Sequence, residues 1–171
     1  MLIKAERSAL LVVHIQSRLA PAVHESVCAI ANSRVLMTAA ERVGVPILVP
    51  ELSPGGLGHT VPEIAELAPE GSIIEEMHFS CVADDVFEER FRELGRRQAV
   101  VVGMEAHICV LQGTMDLLAK GYEVFVVADA AASRTPENAD AGLERLRGAG
   151  AAIVTTEMVV FEWMERADHP N

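Results

Sequence analysis

Three apolar runs in this chain each lead into side chains capable of chemistry. Residues 9–15 end at His14-Ile15-Gln16, residues 72–74 run into Glu75-Glu76-Met77-His78, and residues 99–102 run into Gly103-Met104-Glu105-Ala106-His107-Ile108-Cys109. A thiol, imidazoles and several carboxylates therefore follow the ends of three separate segments. Cys109 is the strongest nucleophile candidate, because it follows a glycine and opens an amphipathic stretch that reads as a helix. A helix N-terminus carries roughly half a positive charge. That favours thiolate over thiol and predicts a lowered thiol pKa. The N–H groups of the first turn can also hold a developing oxyanion. The alternative is a structural thiol, since free cysteine is among the most buried residue types. Cys28 falls inside a helical stretch and reads as packing, and Cys81 follows the third run.

These side chains need elements to hold them. Short runs rich in β-branched residues recur at 9–15, 45–49, 72–74, 99–102, 123–128 and 151–155. Most are continuously apolar, which predicts strands buried on both faces of a parallel sheet. Helical spacing appears between them at 22–42, 84–94, 109–119, 136–146 and 157–164. Gly44, Gly121 and Gly148 act as stops, and Ser133 or Thr135 as a start. Strand and helix alternate six times, the pattern of a doubly wound α/β sandwich. No composition shift or repeat divides the chain, so residues 1–171 read as a single domain. In such folds ligands bind beyond the carboxyl ends of the strands, where the candidate residues lie. The longest irregular stretch, 50–60, is either a functional loop or a surface connection.

Composition narrows the partners. Asp and Glu outnumber Lys and Arg by 25 to 14, for a formal charge of -11. A phosphate-binding surface needs clustered cations, so nucleic acid is not an expected partner. No apolar run approaches the ~20 residues needed to span a bilayer, so no membrane partner is expected. Three cysteines without regular spacing make neither a disulfide framework nor a zinc motif. The expected setting is the reducing cytoplasm.

The motifs together resemble the isochorismatase-like cysteine hydrolase family, in the subgroup of isochorismatase-domain proteins. Leu10-Leu11-Val12-Val13-His14-Ile15-Gln16 is similar to the family's first strand, which usually ends Asp-x-Gln. Met77-His78-Phe79-Ser80-Cys81 resembles its Phe-Ser motif, and Gly103 to Gln112 its nucleophile motif. Val127-Ala128-Asp129-Ala130 with Ser133-Arg134, Thr155-Thr156-Glu157-Met158, and the 54–63 loop with Gly56-Leu57-Gly58 and Val61-Pro62-Glu63 extend the likeness over nearly the whole chain. The resemblance implies a three-layer α/β/α sandwich with a six-stranded parallel sheet of order 3-2-1-4-5-6. It also implies a cysteine nucleophile acting on a small-molecule amide or related C–N substrate, and a homo-oligomer, a dimer or larger. Some relatives hold a metal after strand two. Here only Glu51 and a lone His59 stand there, without that spacing, so neither metal nor cofactor is expected. Relatives usually continue past Pro170 with another helical stretch, and C-terminal packing is expected to differ here.

The resemblance also marks a departure. The family triad is Asp, Lys and Cys. The cysteine maps to Cys109, the aspartate to His14 and the lysine to Glu76. An acid has become a potential cation, and a cation an acid. Either His14 is a general base oriented by Glu76 in a Cys-His-Glu triad, or the two are a structural ion pair in a site that has lost its chemistry and serves as a binding or oligomeric scaffold. His107, Ala106, Phe79, Leu57 and His78 are the expected substrate contacts, with backbone N–H groups near Cys109 and Ala106 assigned to the oxyanion. Glu105 is read as a support for the nucleophile loop. Asp129 and Arg134 are read as a loop-fixing pair, and Trp163 as packing for the last helix or an interface.

Overall fold

A computed structural model of the chain describes residues 1–169; the C-terminal expectation at Pro170 lies outside them. The six apolar runs form one sheet, β1 (Ser8–Val13), β2 (Ile47–Leu52), β3 (Ile73–Glu76), β4 (Gln98–Met104), β5 (Glu123–Ala132) and β6 (Ala152–Val154). All pairings are parallel and the order is β3-β2-β1-β4-β5-β6. Every residue of β1, β2 and β4 is buried, because helices cover both faces. On one side lie α1 (Ser26–Val43), α3 (Pro62–Ala65) and α7 (Thr156–Met164), which meet Leu10, Val12, Val49 and Val102. On the other lie α4 (Asp85–Glu93), α5 (Cys109–Ala119) and α6 (Pro136–Ala149), which meet Leu11, Val13, Val101 and Val126. This is the expected three-layer sandwich. Among the described residues no helix is long and apolar enough to cross a membrane.

Several boundaries differ from the sequence reading, two strand ends because of pairing and the start of α1 because of a local turn. β2 runs on to Leu52 because it pairs with β3 as far as Glu76. The 50–60 stretch is therefore shorter than expected, and it carries a helical turn, α2 (Pro54–Leu57), and a bridge from Thr60 to Gln16. β5 runs on to Ala132 because it pairs with β4 a second time after a register shift between Val101 and Gly103. α1 begins at Ser26, since residues 20–22 form a 3-10 turn.

Gly103 sits at that irregularity with φ +125, a conformation open mainly to glycine. It is register-paired with Val13, and a Cβ built there would overlap the Val13 carbonyl. The missing side chain lets β4 pass against the end of β1, one residue before His14. We expect Gly103→Ala to lower stability by about 2–4 kcal/mol through strain and overlap. By contrast Gly148→Ala, in α6 with open space around it, should be neutral or stabilising by up to about 1 kcal/mol. Urea unfolding midpoints of the two variants check the pair.

Candidate functional site

β1 and β4 are neighbours whose connections leave in opposite directions along the sheet, and in doubly wound folds ligands bind beyond the carboxyl ends of such a strand pair. His14 ends β1 in a left-handed conformation, φ 48. Its imidazole is fully buried, and Nε2 lies 2.7 Å from Glu76 Oε1 at the end of β3. Glu76 is buried because β3, at the sheet edge, alternates exposed and covered positions. Its second oxygen, Oε2, accepts the His78 N–H. With Nε2 turned to the carboxylate, His14 Nδ1 has no hydrogen-bond partner. β3 stops at Glu76, and the half-exposed His78 ring, an expected substrate contact, stands at the rim, with Nδ1 3.9 Å from Glu76 Oε2 and 3.8 Å from Asp84 Oδ2.

Cys109 opens α5 as expected and is buried. The expected lowering of its pKa is reversed. Burial pushes the thiol up; the Glu105 N–H works against this, the Glu76 and Glu105 charges add to it, and the result is about 12. Desolvation beside two carboxylates disfavours the thiolate. Cys81 is pushed up further, by burial, Glu76 and Cys109 in turn. The oxyanion role given to the Ala106 N–H is also corrected, since that group donates to the Ala132 carbonyl at 2.9 Å, continuing the β4–β5 pairing. Ala106 itself is fully buried. The turn closes instead on the Glu105 carbonyl, which accepts from Ile108 and Val110. Among the described residues the Cys109 N–H has no backbone acceptor.

Glu105 supports this turn, as read. Its buried carboxylate takes a fork from Arg134, with Nε at 3.0 Å and Nη2 at 2.7 Å, and also accepts the Arg134 N–H at 2.9 Å. Arg134 therefore pairs with Glu105 and not with Asp129. Asp129 Oδ1 accepts from the Thr156 N–H and hydroxyl, fastening the start of α7. His107 is partly exposed and holds its Nδ1 2.9 Å from Ser133 Oγ. A Cβ at Gly142 would stand 2.9 Å from His107 Cα, so α6 presses against this turn. Leu57 packs partly buried against the apolar cluster containing Cys109, whereas Phe79 is mostly exposed.

Two further groups were missed in sequence. Gln16 is fully buried. Its amide donates to the Leu52 and Gly58 carbonyls and accepts the Leu52 N–H, tying β1, β2 and the following loop together. The Asp-x-Gln likeness marked the position but not this clamp. Glu75 was also missed. Its register pairing with Glu51 brings Glu51, His59 and Glu75 ligand atoms within 4.8 Å of one another. Both Glu51 oxygens already have partners, Oε1 the Thr60 N–H at 2.6 Å and Oε2 His59 Nδ1 at 3.1 Å. Burial pushes the Glu51 carboxyl up, but these bonds outweigh it and hold it below the ordinary range.

The family model for the isochorismatase domain matches residues 8–158. A secreted isochorismatase effector from Phytophthora sojae is 36% identical, over 83% of this chain and 70% of its own length. Isochorismatase family protein 1B from Dictyostelium discoideum is 32% identical, over 97% of this chain and 82% of its own. Among solved structures, a MAR1 ribonuclease from Caenorhabditis elegans superposes with a TM-score of 0.93 at 34% identity, covering 99% of this chain and 88% of its own. YcaC from Pseudomonas aeruginosa, with covalent acrylamide, has a TM-score of 0.89 at 25% identity, covering 96% and 84%.

The Glu105–Arg134 fork has a pH signature. Burial pushes the Glu105 carboxyl up, but the Arg134 bonds outweigh it and hold the group below its ordinary value. A depressed folded value stabilises the fold above the unfolded pKa of about 4.3 and is lost as pH falls through the folded value. Arg134→Met removes the guanidinium bonds and charge but keeps the residue-134 N–H, so the folded value rises and the stabilisation above the unfolded pKa shrinks. The gap between wild-type and variant urea midpoints should therefore widen from pH 4 to pH 7.

Proposed function

From the premise that this chain belongs to the isochorismatase family, we propose that it is a cysteine hydrolase acting on a small-molecule amide or related C–N substrate, through a variant triad of Cys109, His14 and Glu76. The observation that carries this reading is the buried 2.7 Å contact between His14 Nε2 and Glu76 Oε1, with His14 Nδ1 unpartnered. A carboxylate accepts only, so Nε2 carries the proton and Nδ1 keeps a lone pair. That is the tautomer of a general base oriented by a carboxylate.

The raised thiol value makes the base necessary. A thiol near 12 holds no standing thiolate at neutral pH. In this reading the S–H proton passes to His14 Nδ1 as the sulfur bonds to the carbonyl carbon, which requires the thiol to come within hydrogen-bond reach of that nitrogen. The carbonyl electron pair moves to oxygen, where the Cys109 N–H at the head of α5 supplies a donor. When the oxygen pair returns, the C–N bond breaks and the imidazolium gives its proton to the leaving amine. Imidazole then takes a proton from water as the water attacks the thioester. The product acid leaves, and the sulfur regains its proton from the imidazolium. His107, held by Ser133, together with Leu57, Phe79 and His78, would contact the substrate. The covalent acrylamide of the Pseudomonas YcaC shows that that protein accommodates an amide-bearing electrophile. Glu76 and Glu105 disfavour a phosphodiester here, although one relative is named a ribonuclease. Three free thiols suit a reducing compartment such as the cytoplasm.

A second reading is favoured by the burial of Cys109 and the two carboxylates beside it. An unassisted thiol in that setting is inert, and the fold would then serve as a binding or oligomeric scaffold. Two measurements separate the readings. Across a panel of small amides, Cys109→Ala should abolish turnover and His14→Gln should reduce kcat about 10²–10⁴-fold; turnover that survives Cys109→Ala overturns the mechanism. In a Cys28→Ser background, acrylamide labelling of Cys109 should rise about tenfold per pH unit over pH 7–10. Glu76→Gln removes a charge that raises the thiol pKa, so it should speed labelling while slowing turnover. A scaffold would change its labelling alone.

A further inference from the structure

The hydrolytic chemistry uses one of two buried thiols that pack against the same helix face. Cys81 opens a 3-10 turn, Cys81–Ala83, between β3 and α4, and Cys109 heads α5. Both are free, both are buried, and both belong to the apolar cluster on one side of the sheet. α5 presents Cys109, Gly113 and Asp116 at i, i+4 and i+7, which is one face of the helix. The 3-10 turn lies along that face. Ser80, just before the turn, donates to Asp116 Oδ2 at 2.6 Å, and a Cβ built on Gly113 would stand 3.7 Å from Cys81 Sγ. The Cα–Cβ bonds of a helix tilt toward its N-terminus, so the Cys81 sulfur sits on the Cys109 side of Gly113. The glycine contributes no side chain between the two sulfurs. Their closeness is also felt electrically, since Cys109 follows burial and Glu76 among the influences that push the Cys81 thiol up.

Two thiols against adjacent turns of one helix have a reaction open to them that a solitary buried thiol lacks. We propose that Cys81 and Cys109 are a redox-sensitive pair, which hydroperoxides convert to a disulfide that caps the nucleophile. Burial pushes both thiols up, Cys109 to about 12, so neither holds standing thiolate at neutral pH and the first step needs a base. That step rests on the reading above, in which His14 Nδ1 takes the Cys109 proton. The Cys109 sulfur bonds to one peroxide oxygen, the O–O bond breaks, and the proton passes by way of His14 to the departing oxygen. The products are a Cys109 sulfenic acid and, from hydrogen peroxide, one water. The Cys81 sulfur then bonds to the Cys109 sulfur, the S–O bond breaks, and the hydroxyl leaves with the Cys81 proton as a second water. The two thiols lose two electrons, and the O–O bond accepts them. A sulfenic acid consumed in this way does not go on to the irreversible sulfinic acid, and a thiol reductant reopens the disulfide by exchange.

Hydrogen peroxide treatment of the full chain carrying Cys28→Ser, followed by alkylation, proteolysis and mass spectrometry, tests the pair without any need for turnover. The expected product is a peptide pair joined through Cys81 and Cys109, two hydrogens lighter than the reduced pair and returned to free thiols by dithiothreitol. Adding Cys81→Ser or Cys81→Ala removes the resolving sulfur, and either one suffices if the other fails to fold. Peroxide then drives Cys109 to the sulfinic acid, and the free Cys109 thiol recovered by dithiothreitol falls at least about tenfold. His14→Gln should slow formation of the disulfide. A disulfide that forms as fast without the imidazole supports the pair while removing His14 as its base, so the pairing and the triad fail separately. Over-oxidation of Cys109 with Cys81 left free in the Cys28→Ser protein overturns the proposal, and so do two thiols that both stay reduced.

Discussion

Three buried carboxylates at the carboxyl edge of one sheet dictate how the surrounding loops lie. Glu51 ends β2, Glu76 ends β3 and Glu105 follows β4, and each is almost wholly shielded from water. An ionised carboxylate in that position must be paired or fully hydrogen-bonded. The three are satisfied by different means, and each solution fixes a different segment. Glu51 takes the Thr60 N–H and His59, and so pins the loop after α2. Glu105 takes the Arg134 fork, and so pins the segment after β5 beneath the nucleophile turn. Glu76 takes His14 and the His78 N–H, and so joins strands that are not neighbours in the sheet.

The same concentration of negative charge governs Cys109. Helix position alone argues for a reactive thiolate. Burial and the Glu76 and Glu105 charges push the other way and prevail. The triad proposed above has a physical meaning in that setting. An aspartate in place of His14 would add a further carboxylate beside Glu76. An imidazole supplies both a potential cation and a proton acceptor. In that proposal His14 and Glu76 still pair one acid with one base, as the Asp and Lys implied by the resemblance would, with the strands exchanged.

Much of this was legible before the coordinates. Apolar runs gave all six strands, because central parallel strands are buried on both faces and need no alternation. The His14, Glu76 and Cys109 ends of three strands were legible from the same pattern, since strand ends in a doubly wound sheet share one edge. What stayed hidden depended on distance across the chain. Neither the Gln16 clamp nor the Arg134 fork on Glu105 has any local signature, as their partners lie 36 to 42 and 29 residues away. The thiol's true environment was hidden for the same reason: a helix start can be read from nearby residues, but desolvation comes from the whole fold.

The sheet separates two packing environments. Cys109 belongs to the apolar cluster shared by α4, α5 and α6. The α1 and α7 side chains belong to the cluster on the opposite face. Asp129, on β5, ties both of those helices to the sheet, because its carboxylate fastens Thr156 at the head of α7 while its carbonyl accepts from Asn32 of α1. β5 in turn pairs a second time with β4 at Gly103 and Met104, just before the nucleophile turn. The position of that turn therefore depends on strand pairing in the middle of the sheet as well as on the helix that Cys109 opens.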